Sequence, residues 1–372
     1  MQLFSGQPMY DVFCRMQDFV STRTLPPSAR PQPFANGEPL NLPTTFEVAG
    51  QLRSLHALLG ATHTAALLVL QDGRVRFEQY WLSGGPEVPW MSFSVGKSFT
   101  SALIGLALAE GAVGSLADKV TDYVPALAGT AYDGVSIEQV LQMSSGVRFY
   151  EDYSHPEDIG RLVAPMGGEG EFDAVVASLT RERPPGELCR YSSCETQALG
   201  MVLSAATGTT LADYLDRRLR QPLGATSPGY VIHDRAGRDM AFGGLLFTAR
   251  DFARLGELYR NDGVWQGERL LSADFVRAST RVMAPHLAPG APLLAGHQMP
   301  LGYGYQWWLP EGEGGEFTAI GVYNQFIYVD PSRRSVVVKL SANPAYGLGD
   351  DEALNKDLEN LAAIRAINAC LD

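Results

Sequence analysis

The longest uninterrupted apolar run in the chain, Ala102-Leu103-Ile104-Gly105-Leu106-Ala107-Leu108-Ala109, is closed by Glu110. It has the composition and length of a helix and is far too short to cross a bilayer. Directly ahead of it lies Pro89-Trp90-Met91-Ser92-Phe93-Ser94-Val95-Gly96-Lys97-Ser98-Phe99-Thr100. Ser94 and Lys97 therefore fall at or near a helix N-terminus, at the three-residue spacing that puts two side chains on one face.

A serine hydroxyl near neutral pH is a poor nucleophile and needs a neighbouring base, which a lysine can be once desolvation favours its neutral form. Phe93, Val95 and Phe99 supply apolar neighbours, and a helix N-terminus adds N–H donors and a positive dipole end that disfavours the ammonium. Taken alone, Ser-x-x-Lys is more often an N-capping serine with a solvated lysine one turn on. The chain, however, has only four lysines, Lys97, Lys119, Lys339 and Lys356, and the other three lie far from any comparable motif. Gly96-Lys97-Ser98 lacks the first glycine of a phosphate-binding loop, where Met91 stands, and Ser92 replaces the first glycine of a nucleophile elbow.

At 372 residues and 45% hydrophobic the chain has room for one large or two interleaved domains. A net charge of -12 and the lack of a Lys/Arg cluster argue against nucleic acid and a membrane surface as partners. The first residues have neither the basic nor the apolar part of a secretory signal, so a soluble, cytoplasmic protein is expected. Cys14, Cys189, Cys194 and Cys370 are too sparse for a disulfide framework, and the six histidines show no ligand spacing. The expectation is free thiols, no metal and no cofactor.

Along the chain, a proline-rich segment to about Asn41 reads as irregular, and Thr45 to Leu59 as a helix. Ala65–Leu70 and Val75–Tyr80 around Asp72-Gly73 read as a hairpin. Helices follow at Ile137–Met143, Asp173–Leu179, Thr196–Thr207 and Leu211–Leu219, with an irregular pocket loop from Tyr150 to Gly170. Thr248 caps a helix to Tyr259. Tyr303–Trp308, Phe317–Ile320, Gln325–Val329 and Val336–Leu340 read as antiparallel strands, and Glu352–Ala369 as an amphipathic helix. This order predicts an α/β (α+β) fold: an antiparallel sheet built from both chain ends, flanked by helices, with an inserted, mostly helical domain. Residues 1–130 and 241–372 would form the α/β domain and 131–240 the helical one, with the active site between them.

Further motifs follow Ser94-Val95-Gly96-Lys97 in order. They are Leu141-Gln142-Met143-Ser144-Ser145-Gly146-Val147, Tyr191-Ser192-Ser193 with Thr196-Gln197-Ala198-Leu199-Gly200, and Gly243-Gly244-Leu245 with Thr248 to Arg254. From about Ala65 onward the chain thereby resembles the serine β-lactamase and penicillin-binding-protein-like superfamily. It is most similar to the class C-like branch with its carboxylesterases and nylon-oligomer hydrolases. The resemblance implies that Ser94 is the acylated nucleophile, Lys97 its base and Tyr191 the relay of a proton to the leaving atom. It also makes Ala319-Ile320-Gly321 the third motif, with the backbone N–H groups of Ser94 and Val322 as oxyanion donors. Ala319 stands where the family carries a cation, and Ser193 where class C enzymes usually carry asparagine; both departures weigh against β-lactam hydrolysis. Tyr150, Tyr153, Asp158, Ser193, Trp307, Tyr323 and Gln325 are candidate pocket residues.

These readings converge on a cofactor-free serine hydrolase of small esters or amides working through an acyl-enzyme. The alternatives are an acyltransferase using the same intermediate, and a penicillin-binding or sensing domain with little turnover.

Overall fold

Strand Thr64–Gln71 is buried at every position, which accounts for the unbroken apolar run Ala65–Leu70 within it: both faces of its sheet are covered. The computed structural model of the protein describes residues 8–153, 157–294, 299–312, 314–349 and 351–371. Its main sheet contains β1 (Ala35–Asn36), β2 (Thr64–Gln71), β3 (Arg74–Tyr80), β4 (Gly302–Tyr303), β5 (Trp308–Leu309), β6 (Phe317–Gly321), β7 (Gln325–Asp330) and β8 (Ser335–Ser341). The helices of the fold include α1 (Gly96–Ala109), α2 (Glu157–Val163), α3 (Ser193–Thr207), α4 (Ala249–Arg260) and α5 (Asp357–Ala369).

The strand order is β4-β5-β6-β7-β8-β2-β3-β1, antiparallel between neighbours except for the short parallel pairing of β1 with β3. Side chains alternate across the sheet. Leu68 and Leu70 join Ile327, Val329, Val336 and Val338 on the face covered by α4. Leu67 and Val69 join Phe326, Tyr328 and Val337 on the other, covered by Leu361, Ile364 and Ile367 of α5. Each such side chain contributes roughly 1.5–3 kcal/mol when fully buried.

A second, four-stranded sheet runs Thr22–Leu25, Gly229–Ile232, Leu245–Phe247, Trp90–Met91. Its last pairing holds the residues just before Ser94 against Leu246 and Phe247. Behind it, α1 is buried from Gly96 to Ala107, as a helix without a polar face must be, and packs beside α3.

Several expectations are corrected. Thr45–Leu59 is a hairpin of Thr45–Val48 and Gln51–Ser54 followed by a short helix, Leu55–Ala61. Ala49 and Gly50 both have positive φ (49° and 72°), the pattern of a two-residue hairpin turn. The stretch read as a loop from Tyr150 to Gly170 contains α2 and a 3-10 turn, Ala164–Gly167; residues 154–156 of it lie outside the described residues. The proline-rich N-terminal part contributes the strand Thr22–Leu25, and Tyr303–Trp308 spans β4 and the start of β5. Lys356 adopts φ 58° and splits the last helix into Glu352–Asn355 and α5.

Candidate active site

Ser94 sits in a 3-10 turn, Phe93–Val95, that leads straight into α1. Phe93 is held at φ 45°, a conformation costly for a bulky residue and found where the surroundings enforce it. The enforcement is visible here. Ser92 Oγ donates to the Gly243 carbonyl at 3.0 Å and accepts from the Leu245 N–H at 3.2 Å. A Cβ on Gly243 would come within 3.1 Å of the Phe93 carbonyl, tight enough to push the two segments apart by a few tenths of an ångström. The clamp leaves Ser94 partly open amid buried neighbours.

Lys97 is 1% exposed. Its Nζ lies 2.8 Å from Ser94 Oγ, 2.8 Å from Ser193 Oγ and 3.3 Å from the Phe242 carbonyl oxygen. The Ser193 hydroxyl donates to Glu151 Oε1 at 2.6 Å, so toward Lys97 it can only accept; the Phe242 carbonyl can only accept as well. A neutral amine has two N–H bonds, which those two acceptors take. Its lone pair then faces Ser94. Burial lowers the Lys97 pKa to about 8, partly opposed by the Glu151 charge, so the neutral form is accessible near physiological pH.

Glu151, 4% exposed, joins this cluster although the sequence reading does not single it out. Its carboxylate accepts from the Ser193 N–H at 2.7 Å, the Ser193 hydroxyl and the Tyr153 hydroxyl at 3.0 Å. It thereby supplies the N-terminus of α3 with an acceptor. Its partner lies 42 residues away, so no local spacing could reveal it.

Tyr191 precedes α3 and stacks on Trp308, with ring centroids 5.1 Å apart. Its ring lies 4.9 Å from Lys97 Nζ, and it borders the same small cavity as Ser94. Burial, with the Glu151 charge second, raises its pKa well above that of a free phenol, leaving a neutral proton donor. The end of β6 closes the other side, where a Cβ on Gly321 would lie 3.2 Å from Ser94 N. Ser94 and Val322 border the same cavities. Ser94 and Val322, whose backbone N–H groups are the expected oxyanion donors, thus lie on neighbouring segments at one site.

Ser193, Tyr153 and Tyr323 line the main cavity, and Tyr323 does so from a left-handed backbone at φ 64°. Other candidates do not. Trp307 is fully buried against Tyr259 and Phe317; its neighbour Trp308 faces the site. Gln325 is buried as a brace, donating to the Val322 and Ser341 carbonyls and accepting from Trp90. Tyr150 is 46% exposed between Arg148 and Arg190, and Asp158 accepts from the Tyr150 N–H. Ala319 is buried in the core with Phe317. Ser145 hydrogen-bonds the buried carboxyl of Glu195, so the Ser144-Ser145-Gly146 motif braces α3.

Comparison with known proteins adds a second line. The Beta-lactamase family model matches residues 53–360. A 6-aminohexanoate-dimer hydrolase of Paenarthrobacter ureafaciens is 30% identical over 346 residues, covering 89% of this chain and 85% of that protein. A solved structure of a provisionally named 6-aminohexanoate-dimer hydrolase from Bacillus anthracis superposes with a TM-score of 0.84 at 24% identity, covering 98% of this chain and 95% of that one. EstCE1, a hydrolase with promiscuous acyltransferase activity, superposes with a TM-score of 0.64 at 18% identity, covering 84% and 96%.

Proposed function

Since the chain belongs to the Beta-lactamase family and is a hydrolase, we propose that it cleaves small esters or amides through an acyl-enzyme on Ser94. The observation that carries this reading is the arrangement of Lys97, whose N–H acceptors leave its lone pair for the Ser94 hydroxyl.

In this mechanism Ser94 Oγ attacks the carbonyl carbon while its proton passes to Lys97 Nζ. The oxyanion is held by the N–H groups of Ser94 and Val322, donors that need no reorganisation as charge develops. The neutral Tyr191 phenol gives its proton to the departing oxygen or nitrogen and regains one from Lys97, so the serine proton ends on the leaving group. Water then adds to the acyl carbon, losing a proton by the same route, and expels the acid from Ser94. The name of the Paenarthrobacter relative supplies one amide worth assaying, the 6-aminohexanoate dimer. The test is a fluorophosphonate probe with peptide mass spectrometry, alongside Ser94→Ala. Labelling confined to Ser94 and loss of turnover in the variant are expected; a different labelled serine, or full activity in the variant, overturns the reading.

A further inference from the structure

The two cavities that meet at Ser94 differ in size and in lining. One, of about 570 Å³, lies in the range that buries a drug-sized ligand. Phe93, Ile159, Val163, Met166, Met240 and Phe242 are among its walls, and none of its described lining residues is Asp, Glu, Lys or Arg. The other, of about 50 Å³, has room for one or two water-sized groups. Glu151, Tyr191 and Trp308 line this small one, and Tyr191 is absent from the lining of the large one.

The chemistry assigns the two sides. A leaving atom must be within reach of the proton donor, so the leaving group departs on the Tyr191 side, into the small cavity. The acyl group then extends into the large apolar one. A charged acyl tail would meet no Asp, Glu, Lys or Arg among the described lining residues, and burying it there unpaired would cost more than its packing returns. Resting on the acyl-enzyme reading above, we infer that the substrates are esters or amides of bulky, uncharged, apolar acids joined to small alcohols or amines. The specificity resides in the acyl half, and the wall formed by α2 is part of what reads it.

The experiment uses two ester series on the full chain. In methyl esters of straight-chain acids from two to eight carbons, kcat/KM is expected to rise about three- to four-fold per added methylene. In octanoate esters of increasingly large alcohols, it is expected to fall. Val163→Asp, a half-buried wall position, should flatten the chain-length slope, and Ile159→Ala should lower it more mildly should the charged variant fold poorly. A flat or falling acyl series, or a preference for the zwitterionic 6-aminohexanoate dimer over a neutral amide of equal length, overturns the assignment. Those outcomes with Ser94→Ala still inactive leave the acyl-enzyme standing; an active Ser94→Ala refutes the acyl-enzyme itself.

Discussion

Replacing Glu151 by glutamine removes one charge beside Lys97 with almost no change of shape. Lys97 Nζ is 2.8 Å from Ser193 Oγ, which is 2.6 Å from Glu151 Oε1. The carboxylate thus sits roughly 5 Å from the amine, where an effective dielectric constant of about 20 gives an attraction near 3 kcal/mol, or about two pH units. The sign is fixed. Glu151 favours the ammonium, so its loss favours the neutral amine, and the neutral amine is the base. The other groups close to Lys97, the Cys194 thiol and the Tyr191 phenol, are held neutral by burial. In Glu151→Gln the acid limb of kcat/KM against pH should therefore move down from about 8 by one to two pH units. The plateau should fall, because an amide offers only one acceptor to the two Ser193 donors. The assay is kcat/KM for a neutral ester from pH 5 to 9.5, with circular dichroism to confirm folding. An unmoved limb, or one displaced upward, refutes both the polarity argument and Lys97 as the titrating base.

Tyr191→Phe should cost about two to four decades in kcat for an amide, whose nitrogen must leave protonated, and much less for a nitrophenyl ester, whose leaving group needs no proton; equal losses for both would count against the relay. A cephalosporin should be a poorer substrate than a neutral aryl ester. Its carboxylate meets no cation among the described lining residues, forgoing a charge-assisted contact of about 1.5–3 kcal/mol, one to two decades in rate. Arg333 and Arg334 are engaged elsewhere, on Leu371 and Asp72, and a kcat/KM favouring the cephalosporin would show the reasoning wrong.

What the sequence revealed was what short range encodes. The hairpin of β2 and β3 follows from two apolar runs about Asp72-Gly73, and both turn residues indeed have positive φ, 50° and 69°. The proximity of Ser94 and Lys97 follows from helical spacing. Parity was harder. Trp307 and Trp308 differ by one position, and only the point where the chain enters β5, at Trp308, decides which of them stacks on Tyr191. The turn at Ala49-Gly50 was hidden because alanine rarely adopts positive φ. Glu151 was out of reach, since its meaning comes from a hydroxyl and an N–H delivered by a helix elsewhere in the fold.

The pairing of β2 with β8 matches Gln71 to Ser335, closing a loop of about 260 residues before β2 is covered on both edges. As the polypeptide leaves the ribosome, β2 and the Ser94 turn emerge long before β6 brings Val322, and before Asn324 is tied to Asp357 at the head of α5. In the proposed mechanism the oxyanion site therefore lacks its second donor until synthesis has passed β6. On that reading a nascent chain lacks a complete site, while its β2, apolar from Ala65 to Leu70, stays unpaired on one edge until β8 has been made.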